Sequence, residues 1–239
     1  MVNNKVHRAA NPLRTIGQIL QGKSLTRSLF NVAIENYEMR GEVLDLGSKN
    51  GTSSYYQHIK RDGECKITYT DLLPAPNVVQ VDVEKEFPFP DNSFDTVITF
   101  HLMEHVYDIW KMPSEIFRVL KPGGRLIVAV PFIHEYHADP HDYWRMSDKA
   151  VCRLFSDAGL TVKSVELVGE GIATFAALKV IGLLLPRILK RYGMALGYIL
   201  FFGVDRLVNW VRKKRDEQTP SMNFALDVLC VFKKEVSDE

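Results

Sequence analysis

The 239-residue chain has little cysteine, almost no net charge and no apolar stretch long enough to cross a membrane. Its three cysteines, Cys65, Cys152 and Cys230, are far apart and include no C-x-x-C pair. This argues against a disulfide framework and favours a reducing, cytoplasmic compartment. A net charge of +1 provides no overall attraction to nucleic acid, and we expect no nucleic-acid partner. Residues 1–21 contain no uninterrupted apolar segment, so a secretory signal is not expected.

The apolar residues that are present alternate between two spacings. With 46% hydrophobic residues the chain can bury a full core. Residues 13–39 have apolar side chains at helical spacing and are predicted to form an amphipathic helix. Strand-like runs follow at 43–46, 66–70, 78–81, 96–100, 126–130, 161–167 and 224–232. The first five predict a parallel sheet, and the alternation predicts a doubly wound, Rossmann-like α/β fold with ligands at the carboxyl ends of its strands.

The residues just after these strands carry the functional signal. Asp45, Gly47 and Gly51 follow the first strand, where glycines allow a tight turn close to a ligand. The dinucleotide fingerprint G-x-G-x-x-G is absent, and a carboxylate at this point suits a cationic ligand. Asp71 closes the second strand, where it can accept both hydroxyls of a ribose, and Asp82 closes the third. Taken singly, these residues have ordinary explanations as turn glycines, a helix cap and solvated acids.

Six motifs in the expected order resemble the class I S-adenosylmethionine-dependent methyltransferases, in the branch that acts largely on small molecules. They lie at 43–51, 70–72, 82, 87–95, 101–105 and 118–131, and the resemblance covers about residues 40–165. It implies a seven-stranded fold of that class that uses S-adenosylmethionine as its cofactor. The implied cofactor contacts are Asp45, Gly47, Ser48 and Gly51 at the turn, Asp71 and Leu72 at the ribose, Asp82 and Val83 at the adenine, and His101 after the fourth strand.

One position departs from the family pattern. Lys49 stands where family members usually have a second glycine. A lysine pointing inward would place a cation against the cofactor's sulfonium and lower its affinity. We expect the long side chain of Lys49 to reach solvent instead, so that cofactor binding survives.

Methyl transfer is an in-line displacement that depends mainly on alignment, and a general base is needed only for acceptors such as hydroxyls. The candidate bases are His101, His137, His141 and Asp142. His101 could equally cap or pack within its loop.

The segment 131–145 is rich in histidines, carboxylates and aromatic residues, and it supports three interpretations. Its histidines at 134, 137 and 141 lack a zinc-type framework, so no metal site is expected. Trp144 and Arg145 could pin the loop to the sheet, or the segment could hold the acceptor. Its D-Y-W-R motif also resembles a subset of methyltransferases associated with sugar and surface-glycan pathways.

We divide the chain into a helical segment at 1–40, a cofactor-binding core at 41–169, a helical insertion at 170–220, and a last strand with its tail at 221–239. The stretch 187–215 has eight Lys or Arg residues and one acid, Asp205. It accompanies two apolar runs that are too short to span a bilayer. The insertion could rest on an anionic membrane surface, cover an apolar acceptor, or form an ordinary cap or a homodimer face.

The sequence therefore predicts a methyltransferase for a small-molecule, glycan or lipid-linked acceptor. A non-catalytic module that has lost cofactor use is the alternative, and Lys49 favours it. A nicotinamide oxidoreductase is disfavoured because the phosphate-binding fingerprint is absent.

Overall fold

The computed structural model describes residues 11–48, 51–215 and 223–236. These residues form two compact units. The first contains residues 34–167 and 227–236, and the second contains residues 11–33, 168–215 and 223–226. The strands are β1 Glu38–Met39, β2 Glu42–Leu46, β3 Lys60–Arg61, β4 Lys66–Asp71, β5 Val79–Gln80, β6 Phe94–Phe100, β7 Leu120–Pro131, β8 Thr161–Gly171 and β9 Asn223–Lys233. The α-helices are α1 Pro12–Leu20, α2 Leu25–Ile34, α3 Met112–Val119, α4 Asp148–Asp157, α5 Ile172–Leu184 and α6 Arg187–Arg215.

The seven main strands form one sheet in the order β5-β4-β2-β6-β7-β9-β8. The five strands from β5 to β7 in this order pair in parallel, whereas β9 runs antiparallel to β7. This confirms the predicted doubly wound class and its seven strands. After β2 the chain adds β4 and then β5 on one side, and it then returns to add β6 and β7 on the other side of β2. The strand order therefore reverses between β2 and β6, which creates a switch point of the kind that binds ligands.

The predicted single helix over residues 13–39 is wrong, because two helices and the short strand β1 occupy that stretch. α1 ends before Gly22, which adopts a φ of +87° that most residues avoid. α2 then starts after Ser24, whose Oγ accepts a hydrogen bond from the Arg27 backbone N–H at 3.2 Å. Apolar spacing carries through both helices, so periodicity alone did not reveal the break.

The core of the first unit lies on both faces of the central strands. Leu44 and Val97 are fully buried on one face of β2 and β6, and Val43 and Ile98 are fully buried on the other face, as strands covered by helices on both faces require. α4 begins as predicted, because the Ser147 Oγ caps it by accepting a hydrogen bond from the Ala150 N–H at 3.3 Å.

In the second unit, α5 and α6 pack against each other through small residues. A Cβ added at Gly193 or Gly197 would overlap Leu185 or Ile181 of the neighbouring segment. Asp205 is buried in α6 and accepts hydrogen bonds at the start of α5, from the Thr174 N–H at 2.8 Å and the Thr174 hydroxyl at 2.6 Å. Among the described residues, no helix combines the length and the apolar character needed to cross a membrane.

Candidate functional site at the carboxyl ends of the strands

The candidate site lies at the carboxyl ends of five adjacent parallel strands. The turn after β2 carries Asp45 and its glycines, β4 ends at Asp71, and Asp82 follows β5. His101 follows β6, and the loop after β7 contains the other candidate bases. The predicted residues therefore share one edge of the sheet, although they are spread over almost 100 positions of the sequence.

Asp45 is fully buried and is held by two tyrosine hydroxyls. Its Oδ2 accepts hydrogen bonds from the Tyr55 hydroxyl, at 3.1 Å, and from the Tyr56 hydroxyl. Within the described part of the chain, its Oδ1 has no hydrogen-bond partner. Burial raises the pKa of Asp45 to about 7, against the opposing effect of the two hydroxyls. A cationic group bound beside Oδ1 would favour the ionised carboxylate.

The turn after β2 requires glycine at two points. Gly47 and Gly51 have φ values of +74° and +71°. A Cβ at Gly47 would lie 2.9 Å from a Leu102 methyl carbon. The buried Ser48 anchors the turn to β4, because its N–H and its hydroxyl both donate to the Thr70 carbonyl oxygen, at 2.9 and 3.2 Å. Lys49, whose direction matters for cofactor binding, lies outside the described residues.

The acids after β4 and β5 sit in more open surroundings. Asp71 is partly buried, and the neighbouring Leu72 is 53% exposed and can cover a ligand. Asp82 pairs with the Lys85 ammonium at 2.9 Å, and this hydrogen bond lowers the pKa of Asp82. Val83 is buried with the core, so only its backbone is suited to meet a ligand.

His101 adopts a φ of +54°, an uncommon backbone conformation for a residue with a side chain. Its Nε2 lies 3.1 Å from the Oδ1 of Asp227, a fully buried acid in β9. Asp227 was not predicted as a site residue from the sequence. Its signal was a single carboxylate inside an otherwise apolar strand, where a buried acid needs a partner.

The other candidate bases lie in the loop after β7. Asp142 forms a two-pronged ion pair with Arg145, with N to O distances of 2.5 and 2.7 Å, and accepts the His137 backbone N–H at 2.8 Å. The Arg145 guanidinium holds the pKa of Asp142 well below its usual range, which makes this carboxylate a poor proton acceptor at neutral pH. His141 is exposed, and its carbonyl oxygen accepts a hydrogen bond from the His105 ring at 2.6 Å.

Trp144 and Arg145 pin this loop in place. The Trp144 indole N–H donates to the Val106 carbonyl oxygen at 2.8 Å, and Arg145 donates to the Glu135 carbonyl oxygen at 3.0 Å. The D-Y-W-R motif thus holds the loop in its conformation, as the structural interpretation of this segment predicts. The loop also brings His137 beside Glu104 and His105, whereas the sequence had grouped His137 with His134 and His141.

Residues 44–128 match the methyltransferase domain family. A ubiquinone/menaquinone biosynthesis C-methyltransferase from Pasteurella multocida is 30% identical over 146 residues, which cover 54% of this chain and 54% of that protein. The chain thus spans about half the length of this relative. A demethylmenaquinone methyltransferase from Symbiobacterium thermophilum is 39% identical over 80 residues, covering 32% of this chain and 30% of the relative.

Solved structures extend the likeness over most of the chain. An S-adenosylmethionine-dependent methyltransferase from Mesorhizobium loti superposes with a TM-score of 0.51 at 13% identity, covering 90% of this chain and 99% of that one. At this identity the likeness establishes the fold only, since one fold can support several reactions. Residues 44–128 are thus similar to a methyltransferase domain, and the fold of the chain is similar to that of a solved methyltransferase.

Proposed function

We propose that this protein is an S-adenosylmethionine-dependent methyltransferase that works on an apolar or lipid-linked acceptor. The observation that carries the methyl-transfer part is the alignment of Asp45, Asp71 and Asp82 at successive strand ends within the matched domain. In this proposal the turn at Gly47 lets the backbone approach the cofactor, Asp71 accepts hydrogen bonds from the ribose, and Asp82 with Val83 borders the adenine.

Within the proposed reaction, His101 is the group best placed to take a proton from an acceptor hydroxyl. Asp227 is a hydrogen-bond acceptor for the His101 Nε2–H, and in the neutral ring this makes Nδ1 the basic nitrogen. The buried carboxylate also stabilises the imidazolium that forms when Nδ1 takes the proton. His137 and His141 remain candidate bases, while the ion pair with Arg145 favours a positioning role for Asp142.

Asp71→Ala is expected to weaken binding of S-adenosylmethionine, or of its demethylated product, by roughly 1–3 kcal/mol. The physical reason is the loss of a carboxylate that accepts hydrogen bonds from the ribose. Isothermal calorimetry on the purified protein measures this directly. Asp157→Ala is the matched control, because Asp157 lies at the end of α4 and pairs with Arg153 at the surface.

Equal affinities for Asp71→Ala and the wild type would contradict the ribose assignment. If the wild-type protein binds neither ligand, the non-catalytic alternative replaces the proposal. The fold leaves that alternative open, because one fold can support several functions.

The proposed acceptor class rests on the surface of α6. Six large apolar side chains spaced three, four or seven residues apart are each 52–61% exposed and share one helical face. They are Leu189, Tyr192, Leu196, Leu200, Leu207 and Trp210. We call them the apolar stripe. An exposed apolar surface of this length is uncommon on a protein that meets only water.

The charges on α6 are complementary to an anionic surface. Arg187, Lys190, Arg191 and Arg206 are exposed. The single acid, Asp205, is buried and bonded to the start of α5, so it does not offset them. The side chains of residues 212–215, which the sequence reasoning singled out, lie outside the described part of the chain. Apolar insertion and attraction to anionic headgroups reinforce each other, which supports an anionic lipid surface as the partner of the stripe.

Neutralising Arg187, Lys190 and Arg191 together with glutamine is expected to weaken binding to anionic vesicles by roughly 100-fold, at about 1 kcal/mol per basic residue. Sedimentation with vesicles that contain phosphatidylserine, compared with purely zwitterionic vesicles, tests this at two salt concentrations. The wild-type protein should bind more tightly to the anionic vesicles, and added salt should weaken that binding. Lys60, Lys66 and Lys149, which are exposed on the first unit, provide a matched triple control.

Recovery of the wild-type protein in the supernatant with either vesicle type would overturn the membrane part of the proposal. A dimer in analytical ultracentrifugation that is lost in Leu196→Ser would then assign the stripe to a second copy of this chain. Methyl transfer itself is not at stake in this experiment.

A further inference from the structure

Glu104 is an acid whose burial the mechanism does not explain. Its side chain is 1% exposed, and among the described residues neither of its carboxylate oxygens has a hydrogen-bond partner. A buried carboxylate without hydrogen-bond partners carries a large desolvation cost unless a cation or a hydrogen-bond donor binds to it. The nearby Arg145 is already engaged with Asp142 and with backbone carbonyl oxygens.

Two imidazole rings face this carboxylate. The Nε2 atoms of His105 and His137 lie 3.8 and 3.7 Å from the Glu104 Oε1, which is too far for hydrogen bonds. The Nδ1 of His105 is 2.6 Å from the His141 carbonyl oxygen, and the Nδ1 of His137 is 3.1 Å from the Glu135 carbonyl oxygen. Since a carbonyl oxygen only accepts, each neutral ring carries its proton on Nδ1 and presents the Nε2 lone pair.

We propose that Glu104, His105 and His137 form a binding site for a divalent transition-metal ion. Three electron-pair donors lie within 4.8 Å of one another. Around a tetrahedral zinc ion, ligands at about 2.0–2.2 Å would be roughly 3.4 Å apart. The Glu104 Oε1 lies 3.8 and 3.7 Å from the two histidine Nε2 atoms, so these two separations need to close by only a few tenths of an ångström. Two imidazoles and one carboxylate suit zinc, cobalt or manganese better than calcium or magnesium.

The surroundings supply the supporting contacts that metal sites normally have. Each imidazole is oriented by a carbonyl oxygen bonded to its other nitrogen, as is usual for histidine ligands. Asp142 fixes the backbone of His137, and Arg145 in turn holds Asp142. The D-Y-W-R motif thereby acquires a second role as the support of a metal ligand.

Three protein ligands leave at least one coordination position for another molecule. The His137 side chain is 34% exposed, so the site is open on that side. If the proposed methyl transfer holds, an acceptor oxygen bound to the metal would lose its proton more readily and would be oriented for attack. This use of the site rests on the proposed function, whereas the existence of the site does not.

The test is metal binding by the full chain without cofactor or acceptor. Protein freed of metal by a chelator is titrated with Zn²⁺, Mn²⁺ and Co²⁺ in turn by calorimetry, and the Co²⁺ protein is also examined by visible absorption. We expect one ion per chain and a loss of affinity of about 100-fold or more in His137→Ala and in Glu104→Gln. His134→Ala is the matched control, since His134 lies in the same loop outside the triad.

Circular dichroism verifies folding, and His137→Ala provides the safer variant because its ring is partly exposed. Absence of specific binding of all three ions to the wild-type protein overturns the proposal. Equal weakening by His134→Ala would overturn it as well.

Discussion

His101→Ala is expected to lower turnover by roughly 10²–10⁴ if the acceptor is a hydroxyl, and this loss should persist at saturating cofactor, which separates the role of His101 as a base from its implied contact with the cofactor. The histidine is the proposed proton acceptor, and the Asp227 carboxylate that orients its ring lies 3.1 Å from its Nε2. Asp227→Asn should reduce turnover in the same direction, because the side-chain amide no longer selects the tautomer in which Nδ1 is basic.

The measurement requires the acceptor, which can be found by following labelled methyl groups from the cofactor into lipid and small-molecule extracts. His58→Ala is the control, since His58 belongs to the same unit and pairs with Glu35 instead. If His101→Ala turns over within about twofold of the wild type, His101 is not the base, and His137 and His141 become the next variants to test.

Asp45 is expected to make the unliganded protein less stable as pH rises from about 4 to about 7. The unfolded chain releases the Asp45 proton near its ordinary pKa of 3.8, whereas the folded protein holds it until about 7. Stability from this group is therefore complete below pH 4 and is lost as pH rises through the folded pKa. A difference of about three pKa units corresponds to about 4 kcal/mol in the free energy of unfolding.

Asp45→Asn removes this titration while keeping the size of the side chain, so its unfolding free energy should change less between pH 5 and pH 7.5 than that of the wild type. Urea unfolding at both pH values measures the difference. The ion-paired carboxylates Glu115 and Asp142 have lowered pKa values and affect stability only at lower pH, outside this interval. Parallel stability curves for the two proteins would show that Asp45 is ionised in the folded state.

The strands were predictable because their residues are buried on both faces and are therefore almost continuously apolar. The start of α4 was predictable because Ser147 caps it through a local contact. The break between α1 and α2 was not recognised, since Gly22 and Ser24 interrupt the backbone without interrupting the apolar spacing.

Some residues of the candidate site were predictable from the sequence and others were not. Asp45, Asp71 and Asp82 follow their strands directly, so the order of the sequence already places them on one edge. Asp227 contacts His101, which is distant in sequence, and Glu104 faces His137, which belongs to another loop. No local sequence pattern predicts contacts of this kind. The hydrogen bonds from the Tyr55 and Tyr56 hydroxyls to Asp45 were likewise not predictable from a local pattern.

The position of Asp227 has a consequence for biosynthesis. His101 and Asp227 are separated by 126 residues, and the chain is made from its amino terminus. All of the proposed cofactor contacts are therefore synthesised long before the carboxylate that orients His101. Until β9 emerges, β7 has an unpaired edge, which is a surface prone to pairing with other chains. In the proposed mechanism, a nascent chain can acquire its cofactor site early but becomes competent for base-assisted methyl transfer only when its last strand is in place.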